Sequence, residues 1–104
     1  MPLEPGILAA GQVASSTGTL YAASTGPDFI TLITLYNTGG STETVIVYLQ
    51  KNGETRRKIR RIELGSTQSY EFTNRIALAG GDEIQAETTT GSTVDFTVNG
   101  AATT

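Results

Sequence analysis

TVIVYLQKNGETRRKIRRIEL, residues 44–64, decides the fold. Val45, Val47 and Leu49 fall on one parity and Ile46 and Tyr48 on the other, the period of a β-strand. Asn52-Gly53 follows, a dipeptide that tolerates φ > 0 at both central positions of a type I′ turn. The pattern predicts a strand over 44–51, a tight hairpin at Asn52-Gly53 and a return strand over 55–64. Ile59 and Ile62 stand three apart, which breaks the alternation and predicts a bulge near Arg60-Arg61.

The same reading extends in both directions. Towards the N-terminus, Gly39-Gly40 marks a loop, and before it Phe29–Tyr36 reads FITLITLY. Its apolar residues occupy both parities, so this strand is expected to be buried on both faces or to carry a bulge. Thr25-Gly26-Pro27-Asp28 is a turn signal, preceded by short strand candidates over 19–23 and 7–14. Residues 1–6, with Pro2, Leu3 and Pro5, read as an extended arm. Towards the C-terminus, strands are expected over 69–72, 75–79, 83–89 and 93–99, with turns at Gly65-Ser66-Thr67, Gly80-Gly81-Asp82 and Thr90-Gly91-Ser92. The last of these turns is read as closing a hairpin, and residues 101–104 as a frayed tail. Seven to nine short strands and no helix-length periodic segment imply one all-β domain over 7–100, an antiparallel β-sandwich of jelly-roll-like type. Ile30, Leu32, Ile33, Leu35, Val45, Val47, Leu49, Ile84, Phe96 and Val98 are the expected core. With 38% hydrophobic residues in 104 that core is thin, so association would add stability.

Composition narrows the chemistry. There is no Cys and no His, which removes thiol and imidazole nucleophiles and bases and the ordinary zinc, copper and iron ligands. No catalytic residue, metal site or cofactor is expected. Asp82, Glu83, Glu87 and Asp95, with Glu63 and Glu71, lack the spaced ligand series of a calcium loop. They are read as solvated turn residues that balance the cations. Gly39-Gly40 and Gly80-Gly81 are read as turns, because no lysine or helix follows at phosphate-loop spacing. Tyr21, Tyr36, Tyr48 and Tyr70 suit a core rim with wet hydroxyls, or a sugar-binding face. No apolar run approaches the roughly 20 residues of a membrane-spanning helix, and residues 1–10 carry no basic side chain ahead of their apolar stretch, unlike a secretory signal.

Charge is strongly uneven. Lys51, Arg56, Arg57, Lys58, Arg60 and Arg61 are six of the seven basic residues, and they lie within eleven positions. Glu54 is the one acid among them; Arg75 and nine acids make up the rest. Such a run can contact phosphates, dock on an acidic protein surface, or guard an edge strand from unwanted pairing. No aromatic interleaves it and no RNA-binding motif accompanies it. A protein partner is therefore expected, either another protein or a second copy, and nucleic acid is not. Strict alternation would put Arg56, Lys58 and Arg60 on one face and Arg57 and Arg61 on the other.

Several short motifs carry a resemblance. They are Leu20, Tyr21 and Ala23; Tyr36-Asn37-Thr38-Gly39; the TVxVYL strand Thr44–Leu49; Ala79, Gly81, Asp82, Ile84 and Ala86; and VxFTVNG from Val94 to Gly100. Between Leu20 and Gly100 the chain resembles the small β-domain virion proteins of tailed bacteriophages. The resemblance implies a virion structural role: a capsid decoration (cement) protein on the outer shell, with the major capsid protein as partner and a homotrimer as the assembled form, or else a tail, baseplate or head-fibre accessory. It implies synthesis in the bacterial cytoplasm, no membrane and no catalytic residues. A carbohydrate-binding adhesion module is the rival from another class. The basic run lies outside the shared pattern. It and the Pro2, Leu3, Pro5 arm are the candidate protein-interaction residues.

Overall fold

Nine strands form among the described residues: β1 (Leu3–Gln12), β2 (Gly18–Ala22), β3 (Asp28–Asn37), β4 (Glu43–Gln50), β5 (Arg57–Leu64), β6 (Ser69–Phe72), β7 (Ile76–Leu78), β8 (Glu83–Thr88) and β9 (Val94–Thr103). The structure is a computed structural model that describes residues 3–73, 75–89 and 93–103, with Leu3 described by its backbone. Two antiparallel sheets pack face to face. The first runs β1-β9-β3-β6, with β7 continuing the line of β6 along β3; the second runs β2-β8-β4-β5. The chain changes sheet at nearly every connection, staying only from β4 to β5 and from β6 to β7. With β6 and β7 counted as one broken strand, this is the eight-stranded order of a jelly roll.

The double-parity strand resolves into a bulge. β3 slips register against β9 between Ile30 and Leu32, so Ile30, Ile33 and Leu35 all reach the core although 30 and 33 differ in parity. Gly100 permits the slip: a Cβ there would stand 1.9 Å from the Phe29 carbonyl oxygen. These residues pack against Val45 and Val47 of β4, Ile84 and Ala86 of β8, and Val94, Phe96 and Val98 of β9, with Leu78, Phe72, Ile62, Leu64 and Val13 completing the layer. Of the expected core residues, Leu32 lies outside this layer and Leu49, partly buried, packs against its edge. Leu32 is half-buried and faces outward opposite Asn99, because the bulge reverses its parity. Leu49 is half-buried at the end of the sandwich, where it lines a cleft with Pro27, Lys51, Ala77, Leu78, Ala79 and Asp82.

Two connections, and the expected arm and tail, differ from expectation. β4 and β5 pair as a hairpin, but the last paired residues are Leu49 and Arg57, so the return strand starts at 57 and the loop is long. At its tip the Glu54 N–H donates to the Lys51 carbonyl (2.9 Å). Gly53 alone takes positive φ, at 79°, the signature of a type II turn and not of type I′. Asn52 is held otherwise: its N–H donates to Asp82 Oδ1 at 2.9 Å. β8 and β9 form no hairpin; β8 pairs with β2 and β4, and β9 with β1 and β3. The turn expected between them, at 90–92, lies outside the described residues. Finally, the expected arm and tail pair with each other, Leu3 with Thr103, Glu4 with Ala102, Pro5 with Ala101 and Gly6 with Gly100. The tail is also anchored, because the Thr103 N–H donates to Asp28 Oδ1 at 2.9 Å. Pro2, Met1 and Thr104 lie outside the described residues.

Candidate interaction surfaces

The basic run occupies the β4–β5 loop and β5, an edge strand of the second sheet. Register slips here too: Tyr48 pairs with Lys58 but Val47 with Arg60, leaving Ile59 as the extra residue. The bulge sits one residue before the expected position, and it redistributes the charges. Lys58 and Arg61 share the outer face with Tyr48 and Ile46, while Arg57 and Arg60 turn towards the first sheet; the expected grouping of Lys58 with Arg60 is thereby corrected. Aromatic side chains from neighbouring strands supply what the run itself lacks. Arg56 lies over the Tyr48 ring at 4.7 Å. Arg60 lies 5.5 Å from the Tyr70 centroid and 5.9 Å from that of Phe72, and its Nη2 donates to the Tyr70 hydroxyl. Arg60 thus bridges β5 of one sheet to β6 of the other. Arg61 pairs with Glu63 at 3.2 Å, an exposed contact worth about 0–1 kcal/mol. Among the described residues the Lys51 and Arg57 side chains are exposed and make no hydrogen bond or ion pair.

The acids of β8 hold the outer face of the second sheet together. Glu87 accepts hydrogen bonds from the Thr17 hydroxyl (2.5 Å) and the Tyr48 hydroxyl (3.0 Å). Glu83 accepts from Thr19 (2.7 Å) and from the Gln85 amide (3.1 Å). These donors hold both carboxyls below the usual glutamate range. Such groups stay charged and are poor proton donors at neutral pH. Asp82, the acid of the Gly80-Gly81 turn, is buried and spends its oxygens on backbone: Oδ1 accepts the Asn52 N–H and Oδ2 the Ala79 N–H, at 2.9 and 3.0 Å. Among the described residues no three His, Cys, Asp or Glu side chains gather where they could hold a metal ion.

The outer face of the first sheet is different in kind. Because Val94, Phe96 and Val98 point inward, Asp95, Thr97, Asn99 and Ala101 point out. Their register partners complete the face: Pro5, Ile7, Ala10 and Gln12 on β1, and Phe29, Leu32, Thr34 and Tyr36 on β3. Ile7 is 69% exposed, Phe29 39% and Tyr36 40%. Those three are the exposed large hydrophobic side chains among the described residues, and all lie on this one face. One end is apolar, with Pro5, Ile7, Phe29, Leu32 and Ala101, and beside it opens a shallow cleft of about 340 Å³ lined by Phe29, Ile30, Thr31, Arg75, Ile76 and Ala77. The other end is polar: Asp95 stands opposite Tyr36, and Glu71 on β6 stands opposite Thr34. Of the arm residues named from the sequence, Pro5 is brought to the apolar end, opposite Ala101. The Leu3 backbone continues the same strand, while Pro2 lies outside the described residues. Ile7, Phe29 and Tyr36 were missed as surface residues. The signal for two of them was present in FITLITLY: with apolar residues on both parities and a bulge between, Phe29 faces outward before the slip and Tyr36 after it.

Comparison with protein-family models, with curated proteins and with solved structures finds no match to this chain.

Proposed function

We propose that this chain is a structural protein of a tailed-bacteriophage virion, a capsid decoration (cement) protein that binds the outer shell. The observation that carries the proposal is the collection of Ile7, Phe29 and Tyr36 on one face of a small sandwich, a surface suited to adhesion. The motif resemblance supplies the setting. The mechanism is adhesive: each copy lays the apolar end of its β1-β9-β3 face across neighbouring major capsid subunits, so opening the shell must also break those contacts.

The test is reconstitution on undecorated particles. The protein should bind the shell and raise the temperature at which particles release DNA. Ile7→Asp and Phe29→Asp, both at exposed positions, should cut occupancy while the free domain keeps its circular dichroism. Density on the tail, baseplate or head fibres would replace this reading with the accessory one. Binding of the isolated domain to glycans but not to particles would replace it with the carbohydrate module.

A further inference from the structure

The polar end of the same face has a chemistry the chain already uses elsewhere. Twice it lays a guanidinium on a tyrosine ring, Arg56 on Tyr48 and Arg60 on Tyr70. In the first pair a carboxylate completes the site, since Glu87 accepts from the Tyr48 hydroxyl. Tyr36 presents a third ring, 40% exposed with no guanidinium over it among the described residues. Its neighbours are acidic. Asp95 is its direct register partner on β9, at roughly 5 Å between Cβ atoms. Glu71 lies diagonally across on β6, its carboxylate exposed and without a hydrogen bond or ion pair among the described residues. Asp95 accepts one exposed hydrogen bond, from Gln12 Nε2 at 3.2 Å. An exposed ring between two carboxylates favours a cation, through the ring quadrupole and charge-assisted hydrogen bonds together.

Cations that fit it stand elsewhere on the same chain. Lys51 and Arg57 are exposed and unpaired at the start of the β5 edge. They belong to the opposite sheet, and they sit at the opposite end of the sandwich, beside Pro27 and β7. A single copy therefore cannot bring its own cations to its own Tyr36. We infer that a second copy of this chain does so: the Lys51–Arg57 edge of one protomer docks on the Tyr36, Asp95 and Glu71 end of the next. The contact joins two different patches, so it is heterologous: it propagates head to tail, into a ring where the rotation between copies closes and into a filament where it does not. It needs nothing from the shell, so its failure and that of the shell-binding proposal are separately visible.

Sedimentation velocity of the full chain in solution, at low and at high salt, tests it by charge swap. The unaltered chain should associate, with affinity falling about tenfold or more from low to high salt. Lys51→Glu with Arg57→Glu should be monomeric, acid facing acid. Glu71→Lys with Asp95→Lys should also be monomeric, base facing base. Mixing the two should restore association, because each variant's edge then matches the other's face. Lys51→Gln with Arg57→Gln serves as the milder pair should a reversal variant lose its β-sheet circular dichroism; it too should be monomeric. A monomeric unaltered chain at low salt, association of either variant alone, or a mixture that stays monomeric would each overturn the inference.

Discussion

Asp28 is a buried carboxylate shared between two distant parts of the chain. Its Oδ2 accepts the Tyr21 hydroxyl at 2.5 Å and its Oδ1 the Thr103 N–H at 2.9 Å. Asp28→Ala would leave both donors without their acceptor. It should cost about 2–3 kcal/mol, read as a lowered urea midpoint, and Asp28→Asn should cost less. Burial first, and then the hydrogen bond and charge of Asp28, push the Tyr21 phenol up to about 12 from an ordinary 10. The fold therefore favours neutral Tyr21. That contribution to stability is complete below pH 10 and is lost as pH rises from 10 towards 12, where the unfolded chain ionises first. Thermal melts across that window should fall more steeply for the unaltered chain than for Tyr21→Phe; equal slopes would remove the role given to this pair. In the sequence Asp28 reads only as the end of a TGPD turn, because its partner Thr103 is 75 residues away.

Register slips decide which side chains each strand buries. In β3 the slip after Ile30 moves Leu32 to the outer face and keeps Ile33 at 0% exposure. Ile33→Ala should cost about 2–5 kcal/mol, and Leu32→Ala about 1 kcal/mol or less. Paired urea titrations check the contrast, and equal costs would contradict the bulge. That β3 needed a bulge was legible in FITLITLY; which leucine it expelled was not, since this depends on Gly100 lying opposite. The same holds for β5. The spacing of Ile59 and Ile62 announced an irregularity, but its position was set by pairing with Val47 and Tyr48. Asn52-Gly53 was legible as the hairpin tip. Its turn type was not, because the Asn52 N–H is claimed by Asp82 from another connection. The arginine–tyrosine stacks were hidden for a similar reason, as their rings come from β4 and β6.

At the scale of the whole molecule, strand number and class followed from local signals of alternation, glycine-rich turns and the missing helix period. Pairing order did not, because a jelly roll joins strands far apart in sequence and separates neighbours such as β8 and β9. The candidate basic surface was legible as composition. The apolar and acidic ends of the opposite sheet were not, since they are assembled from β1, β3, β6 and β9. The longest-range of these pairings, β1 with β9, has an engineering consequence. Leu3 and Thr103 are register partners on adjacent antiparallel strands, roughly 5 Å apart between Cα atoms, so a short turn can join them without crossing the core. The exposed loop at Asn52-Gly53 is then a natural place to open the chain. A circular permutant with a short turn between Leu3 and Thr103 and cut at Asn52-Gly53 should show the same β-sheet circular dichroism and melt cooperatively. Loss of cooperative melting would mean that the β4–β5 connection is needed to hold the second sheet together. If it folds, cargo fused at the new ends is carried at the basic tip: the apolar face on the opposite sheet stays clear, while the proposed Lys51–Arg57 contact is covered.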